Sequence, residues 1–205
     1  MKVIGITGGI GAGKTTVLNI IRETCSCYIL LADEAAHEVK KKGHVCYDEL
    51  VSLLGSGILG ADGEIDKPMM ADIIFKKGNE ELLEQVNDII HPRVREYILE
   101  KIEEYRKLRS VDYFFIEAAL LIEDGYREIC DELWYIYAPR DVRAGRLKES
   151  RNYTDDKIRN IMDKQKDDSF FRANCDRVID NPGSLLETRR QIEAILSGES
   201  DYGRG

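Results

Sequence analysis

Near the start of the chain, Gly8-Gly9-Ile10-Gly11-Ala12-Gly13-Lys14-Thr15 satisfies the pattern G-x-x-x-x-G-K-[ST]. Glycines let successive backbone N–H groups converge on phosphate oxygens, and a helix that follows adds the partial positive charge of its N-terminus. Gly9, Gly11, Ala12 and Gly13 supply that backbone. Lys14 stands where it reaches β- and γ-phosphates, the Thr15 hydroxyl where it holds Mg2+, and Thr16 where it contacts an α-phosphate. The alternative is a glycine-rich turn with no ligand, which gives no reason for a Lys-Thr pair set between a strand and a helix. The loop therefore implies a bound nucleoside triphosphate.

Three further sets of residues bear on what is done with that triphosphate. Asp33 follows an apolar run and falls at the carboxyl end of a strand, where open α/β sheets bind ligands. It suits a base that orients an acceptor hydroxyl, and it equally suits the cap of a helix beginning at Glu34. Glu117 ends the run Phe114-Phe115-Ile116 and is either a ligand to Mg2+ through water or a plain strand-end carboxylate. Arg140, Arg143 and Arg146 repeat at a spacing of three, with Lys148 and Arg151 beyond. That is the cation set a lid over ATP requires, and with Asp141 and Glu149 interleaved it also describes a solvated helix face. Arg146 and Arg151 are the preferred pair.

Other P-loop classes fit less well. A GTP switch adds D-x-x-G soon after the loop and N-K-x-D for the guanine. Here Asp180-Asn181-Pro182-Gly183 lies far downstream and N-K-x-D is absent. A motor or transporter ATPase ends a long apolar strand in Asp-Glu, whereas this chain offers Glu117 alone.

Charge and composition narrow the partners. The chain has 205 residues and a net charge of −8, which disfavours nucleic acid as a partner, so any anionic ligand must be met by local Lys and Arg clusters. Five cysteines form no C-x-x-C pair, and three histidines give no zinc-spaced set. The cysteines are read as reduced and mostly buried. No stretch approaches the ~20 apolar residues of a membrane span, and no signal peptide precedes the first strand. A cytoplasmic monomer is expected.

The elements that must position these groups follow from periodicity. Short apolar runs predict strands over Lys2–Thr7, Tyr28–Leu31, Tyr113–Glu117, Leu133–Tyr137 and Arg177–Ile179. Helical stretches long enough for crossovers separate them, so a five-stranded parallel sheet flanked by helices is expected, an α/β fold. Val94, Ile98, Ile102, Tyr105 and Leu108 make one apolar stripe on a helix that Pro92 starts. Ser184 to Glu187 reads as a capping box opening a final helix that buries Leu185, Leu186, Ile192, Ile195 and Leu196. Ser197 to Gly205 is read as a frayed end. The charged helical stretches 34–109 and 140–172 are the places for a substrate-holding insert and a lid, around a core of 1–33, 110–139 and 173–197.

From the P-loop to about Leu186 the chain resembles the dephospho-CoA kinase family. The resemblance rests on Ile6 to Thr16, Ala32-Asp33-Glu34, Asp66-Lys67 through Ile74-Phe75, Ile90-His91-Pro92-Arg93-Val94-Arg95, Leu120 to Gly125 and Asp176 to Ser184, in that order. It implies a P-loop kinase that transfers the γ-phosphate of ATP to the ribose 3′-hydroxyl of dephospho-CoA. With that come Asp33 as base, and Lys67, His91 and Arg95 as the acceptor-binding wall. It also implies Asn181 in a turn near the adenine, while Lys14 and Arg146 as catalytic cations and Mg2+ as cofactor follow from the phosphate loop and the arginine series themselves. On its own residues His91, next to Pro92, is better explained by packing. Leu31 stands where the family often has Asp, which leaves Asp33 as the base.

Overall fold

A computed structural model of the chain describes residues 1–199. All five expected strands form: β1 (Lys2–Thr7), β2 (Cys27–Leu31), β3 (Tyr113–Glu117), β4 (Glu132–Tyr137) and β5 (Arg177–Asp180). They make one sheet in the order β2-β3-β1-β4-β5. β1 runs parallel to β3, with Val3 opposite Phe114, and parallel to β4, with Ile6 opposite Trp134. β5 extends the parallel sheet beside β4, Tyr135 facing Val178. Val3, Ile4, Ile6, Phe114, Phe115, Ile116, Leu133, Trp134, Tyr135 and Ile136 are all buried. Consecutive buried positions mean that both faces of the sheet are covered, which is why these strands read as apolar runs and not as alternations.

The helices are α1 (Lys14–Thr24), α2 (Ala32–Glu38), α3 (Val45–Leu54), α4 (Lys67–Ile74), α5 (Glu80–Leu108), α6 (Arg140–Arg151), α7 (Asp155–Met162), α8 (Asp168–Asn174) and α9 (Leu185–Ser197). Connections from β1 lead to one side of the sheet and those from β4 to the other. The crevice beyond the carboxyl ends of these two neighbours is thus the switch point at which such sheets bind ligands.

Two helices differ from the sequence reading. Pro92 does not start a helix; it lies inside α5, a single helix of 29 residues. The proline is exposed, so water can serve the backbone carbonyl that it leaves without a partner. In α9, Ser184 is the cap as expected, its hydroxyl accepting from the Glu187 N–H, but Leu185 and Leu186 are exposed. The buried face is Thr188, Gln191, Ile192, Ala194 and Ile195. Ser197 is the last residue of α9, and residues 200–205 of the expected frayed end lie outside the described residues. Of the cysteines, only Cys46 and Cys130 are buried, and all five are free thiols. Among the described residues no helix is long and apolar enough to cross a membrane.

The chain folds as two compact units, one of residues 1–29 with those from 105 onward, the other Leu30–Glu104. The second has its own core, in which Leu50, Ile58, Val86 and Ile98 are buried. A bidentate pair fixes its surface, Arg93 to Glu49 at 3.1 and 2.7 Å.

Candidate active site

The loop from Gly8 to Gly13 leaves the end of β1 and enters α1 at Gly13. Gly8 has φ 155°, and a Cβ there would stand 2.6 Å from the Ile136 carbonyl oxygen on β4. Only glycine lets the loop lie that close to the neighbouring strand. Gly13 caps α1 with φ 93° and no side-chain cap bond, and no acidic residue stands in the first turn of α1. The orphan N–H groups of that turn therefore stay available, with the positive end of the helix dipole behind them.

Side chains from three other elements brace the outside of this loop. Arg143 on α6 is buried; its Nε donates to the Ile10 carbonyl at 2.9 Å and its Nη2 to Gln165 Oε1 at 2.7 Å. The same Gln165 oxygen accepts the Ile10 N–H at 3.1 Å. Burial pulls the Arg143 pKa below its usual value, though a guanidinium remains charged throughout the physiological range. One turn on, Arg146 donates to the carbonyls of Ala12 (3.1 Å), Gly11 (3.3 Å) and Asn181 (2.7 Å). Asn181 is buried and donates from Nδ2 to Ala12 O at 2.8 Å, while its Oδ1 accepts from Thr188 at 3.0 Å. Ile10 is the only bulky side chain of the loop, and it packs against Leu147, Ile158 and Met162 of α6 and α7.

Lys14 opens α1 and turns back over the loop. Its Nζ donates to the Gly8 carbonyl at 2.8 Å and lies 3.5 Å from Glu117 Oε1 at the end of β3. Both side chains are mostly withdrawn from solvent, which strengthens the pair beyond that of a surface ion pair. Thr15 is exposed and Thr16 half-buried at the start of α1. The structure thus brings together Gly9, Gly11, Ala12, Gly13, Lys14, Glu117, Arg146 and Asn181. Arg151 is exposed at the last position of α6. Sequence reasoning passed over Gln165 and Thr188 because a single polar residue at a helix end carries no pattern. Arg143 was visible as part of the arginine series, and its burial was not.

The remaining predicted residues lie in the other unit. Asp33 is the second residue of α2 and is exposed. Leu31 is the N-cap, without a side-chain cap bond, so the capping alternative for Asp33 falls: the helix starts earlier than Glu34 because Leu31 already makes the turn. Lys67 begins α4 behind its cap Asp66, whose carboxylate accepts the Met69 N–H at 2.8 Å. His91 and Arg95 sit one turn apart on α5. Among the described residues no group of three or more His, Cys, Asp or Glu is arranged to hold a metal ion.

Comparison with known proteins agrees with this architecture. The family model described as dephospho-CoA kinase matches residues 2–187. A dephospho-CoA kinase from Aquifex aeolicus is 38% identical over 196 residues, covering 95% of this chain and 96% of its own. A Thermus thermophilus crystal structure superposes with a TM-score of 0.78 at 26% identity, covering 96% of each chain. A dephospho-CoA kinase from Campylobacter jejuni gives 0.70 at 24% identity over 97% of this chain and 100% of that one, which bears on the fold alone. With the phosphate loop, the parallel sheet and a match along nearly its whole length, the chain belongs to the dephospho-CoA kinase family.

Proposed function

We propose that this chain transfers the γ-phosphate of ATP to the ribose 3′-hydroxyl of dephospho-CoA, giving CoA in the last step of CoA biosynthesis. The observation that carries it is the braced loop: its carbonyls are tied outward by Arg143, Arg146 and Asn181, and the amides at the head of α1 are left for phosphate.

Phosphoryl transfer passes through a loose transition state, so most of the catalysis is positioning and charge stabilisation. In this reading Lys14 leaves the Gly8 carbonyl to meet the β- and γ-phosphates, and Arg146 supports the transferred group. Gly9, Gly11, Ala12, Gly13 and Thr16 hold the triphosphate, Arg151 joins it when the 140–172 lid closes, and Asn181 borders the adenine. Asp33 accepts the proton of the acceptor hydroxyl. Lys67, His91 and Arg95 form the acceptor wall within an insert of residues 34–109. The Thr15 hydroxyl and the Glu117 carboxylate are hard oxygen donors of the kind Mg2+ takes, and a site that relies on substrate phosphates needs no larger protein cage. Mg2+ held there would neutralise charge developing between the β- and γ-phosphates. The proposed setting is the cytoplasm.

The test is ADP release with dephospho-CoA, adenosine and nucleoside monophosphates as acceptors, on the native chain and on Asp33→Asn. Turnover of dephospho-CoA is expected, with kcat reduced by about 10²–10⁴ in the variant and ATP binding retained. Clear turnover of another acceptor with none of dephospho-CoA would overturn the substrate, and an Asp33→Asn variant of native rate would overturn the base.

A further inference from the structure

Within the Leu30–Glu104 unit, a cavity of about 480 Å3 opens beside α2 and α4, with Lys40 and Lys67 on its wall. We infer that this cavity holds the diphosphate of the acceptor, with Lys40 and Lys67 as a paired clamp and Lys40 as a binding residue of the reaction. The inference rests on the proposed function and deepens it, since it names the part of the acceptor that is recognised and the side chains that recognise it.

Three observations lead there. The first is alignment. The helical turn of α2 continues past Glu38, the Val39 N–H bonding to the Ala35 carbonyl at 3.0 Å and the Lys40 N–H to that of His37 at 3.3 Å. Asp33, His37 and Lys40, spaced by four and three, therefore share one face. At ~1.5 Å of rise per residue, Lys40 stands about 10 Å along that face from Asp33. A lysine reaching back along the face can meet a 5′-linked diphosphate while the 3′-hydroxyl of the same ribose lies at the carboxylate.

The second is uncompensated charge. Lys40 is half-buried, and its pKa is lowered first by that burial and then by Lys67; Cys46 and Asp33 act the other way. Among the described residues neither Lys40 nor Lys67 forms an ion pair. Two ammonium groups gathered in a recess with neither of them ion-paired cost stability, and a ligand with adjacent anionic phosphates removes that cost.

The third is what the other lining groups do. Lys41 is already paired with Glu38 at 2.5 Å. Of the two carboxylates on the wall, Asp62 accepts the Glu64 N–H at 3.0 Å and Glu64 accepts the Lys42 N–H at 3.0 Å. Each is engaged by backbone. His37 adds a ring N–H donor, and Ile65 and Met70 give the cavity an apolar side along which the aliphatic arm of the acceptor can lie.

The experiment is calorimetric titration of dephospho-CoA, inorganic diphosphate, adenosine and ATP into the native chain and into Lys40→Met, Lys40→Arg and Lys67→Met. Loss of a charge-assisted contact predicts dephospho-CoA and diphosphate binding weakened about tenfold or more in each Met variant, with partial recovery in Lys40→Arg. Adenosine and ATP affinities should stay within about twofold of native. Lys40→Met is also expected to melt no lower than the native chain, because it relieves the crowding of like charges. Unchanged diphosphate and dephospho-CoA affinity in both Met variants, or an equal loss for ATP, overturns the inference. If the native chain shows no turnover of dephospho-CoA, the functional reading fails by itself, and the diphosphate titration still decides what the cavity binds.

Discussion

Arg143 and Arg146 lie one turn apart on α6, and each holds a different stretch of the phosphate loop by its carbonyls. With Ile10, Gly11 and Ala12 tied outward in this way, the loop is preorganised for an anion. Arg146→Ala is therefore expected to weaken ATP binding by about tenfold or more and to cost about 2 kcal/mol of stability, read by calorimetry with ATP and by denaturant unfolding. Arg146→Lys should recover little, since one ammonium cannot span carbonyls that the guanidinium fork meets together. The spacing of three put these arginines on one side of a helix and so exposed them as a set. It did not identify the partners, which are carbonyls 133 to 135 residues away in the chain and leave no trace in local sequence. Phe171 makes the same point. Its ring stacks on Tyr135 at 4.7 Å, 36 positions away in the chain, and belongs to the core beside β5.

At the level of elements, α9 shows how a polar side chain can serve as structural glue. Gln191 accepts the Asp180 N–H and donates to the Asp180 carbonyl, both at 2.9 Å, so it stands in for a neighbouring strand at the end of β5. Thr188 reaches Asn181 and thereby the phosphate loop. The buried face of α9 was misread because apolarity alone was used to find its phase, and its first buried positions are these hydrogen-bonding residues. The start of α9 was legible, because Ser184 followed three positions later by Glu187 is a local signal with a local cause. Ser184→Ala should cost about 1 kcal/mol by helix-cap loss, a fall of about 2–4 °C in Tm on thermal unfolding. The full length of α5 was hidden for the opposite reason: proline is a strong start signal, and only tertiary burial of Val86 ahead of it shows that the helix has already begun.

For the molecule as a whole, acid should be the weak side. Burial pushes the Asp176 carboxyl upward, but the Arg127 guanidinium and the Leu133 N–H at 2.7 Å outweigh it and hold its pKa below the usual range. Glu132 behaves alike: burial acts upward, and Lys2 at 2.7 Å with the Trp134 indole Nε1–H at 3.0 Å bring the net shift down. A carboxylate depressed in the folded state contributes stability above its unfolded pKa of about 4, and loses that contribution as pH falls through the folded value. Melting between pH 7 and pH 3 should therefore show Tm falling on the acid side, with a flatter fall and a lower neutral Tm for Asp176→Asn. Strand number, order in the chain and parallel pairing were legible from the apolar runs and the crossover lengths between them. The lateral order of the sheet was not, since it depends on which face each crossover covers. Gln165 has the widest consequence. Its carboxamide oxygen accepts from both the Ile10 N–H and the Arg143 guanidinium on the outer side of the phosphate loop, so one side chain from beyond α7 joins the loop to α6. A nucleotide therefore meets a loop whose outer bonds are already made, and none of them has to be surrendered for its own contacts to form.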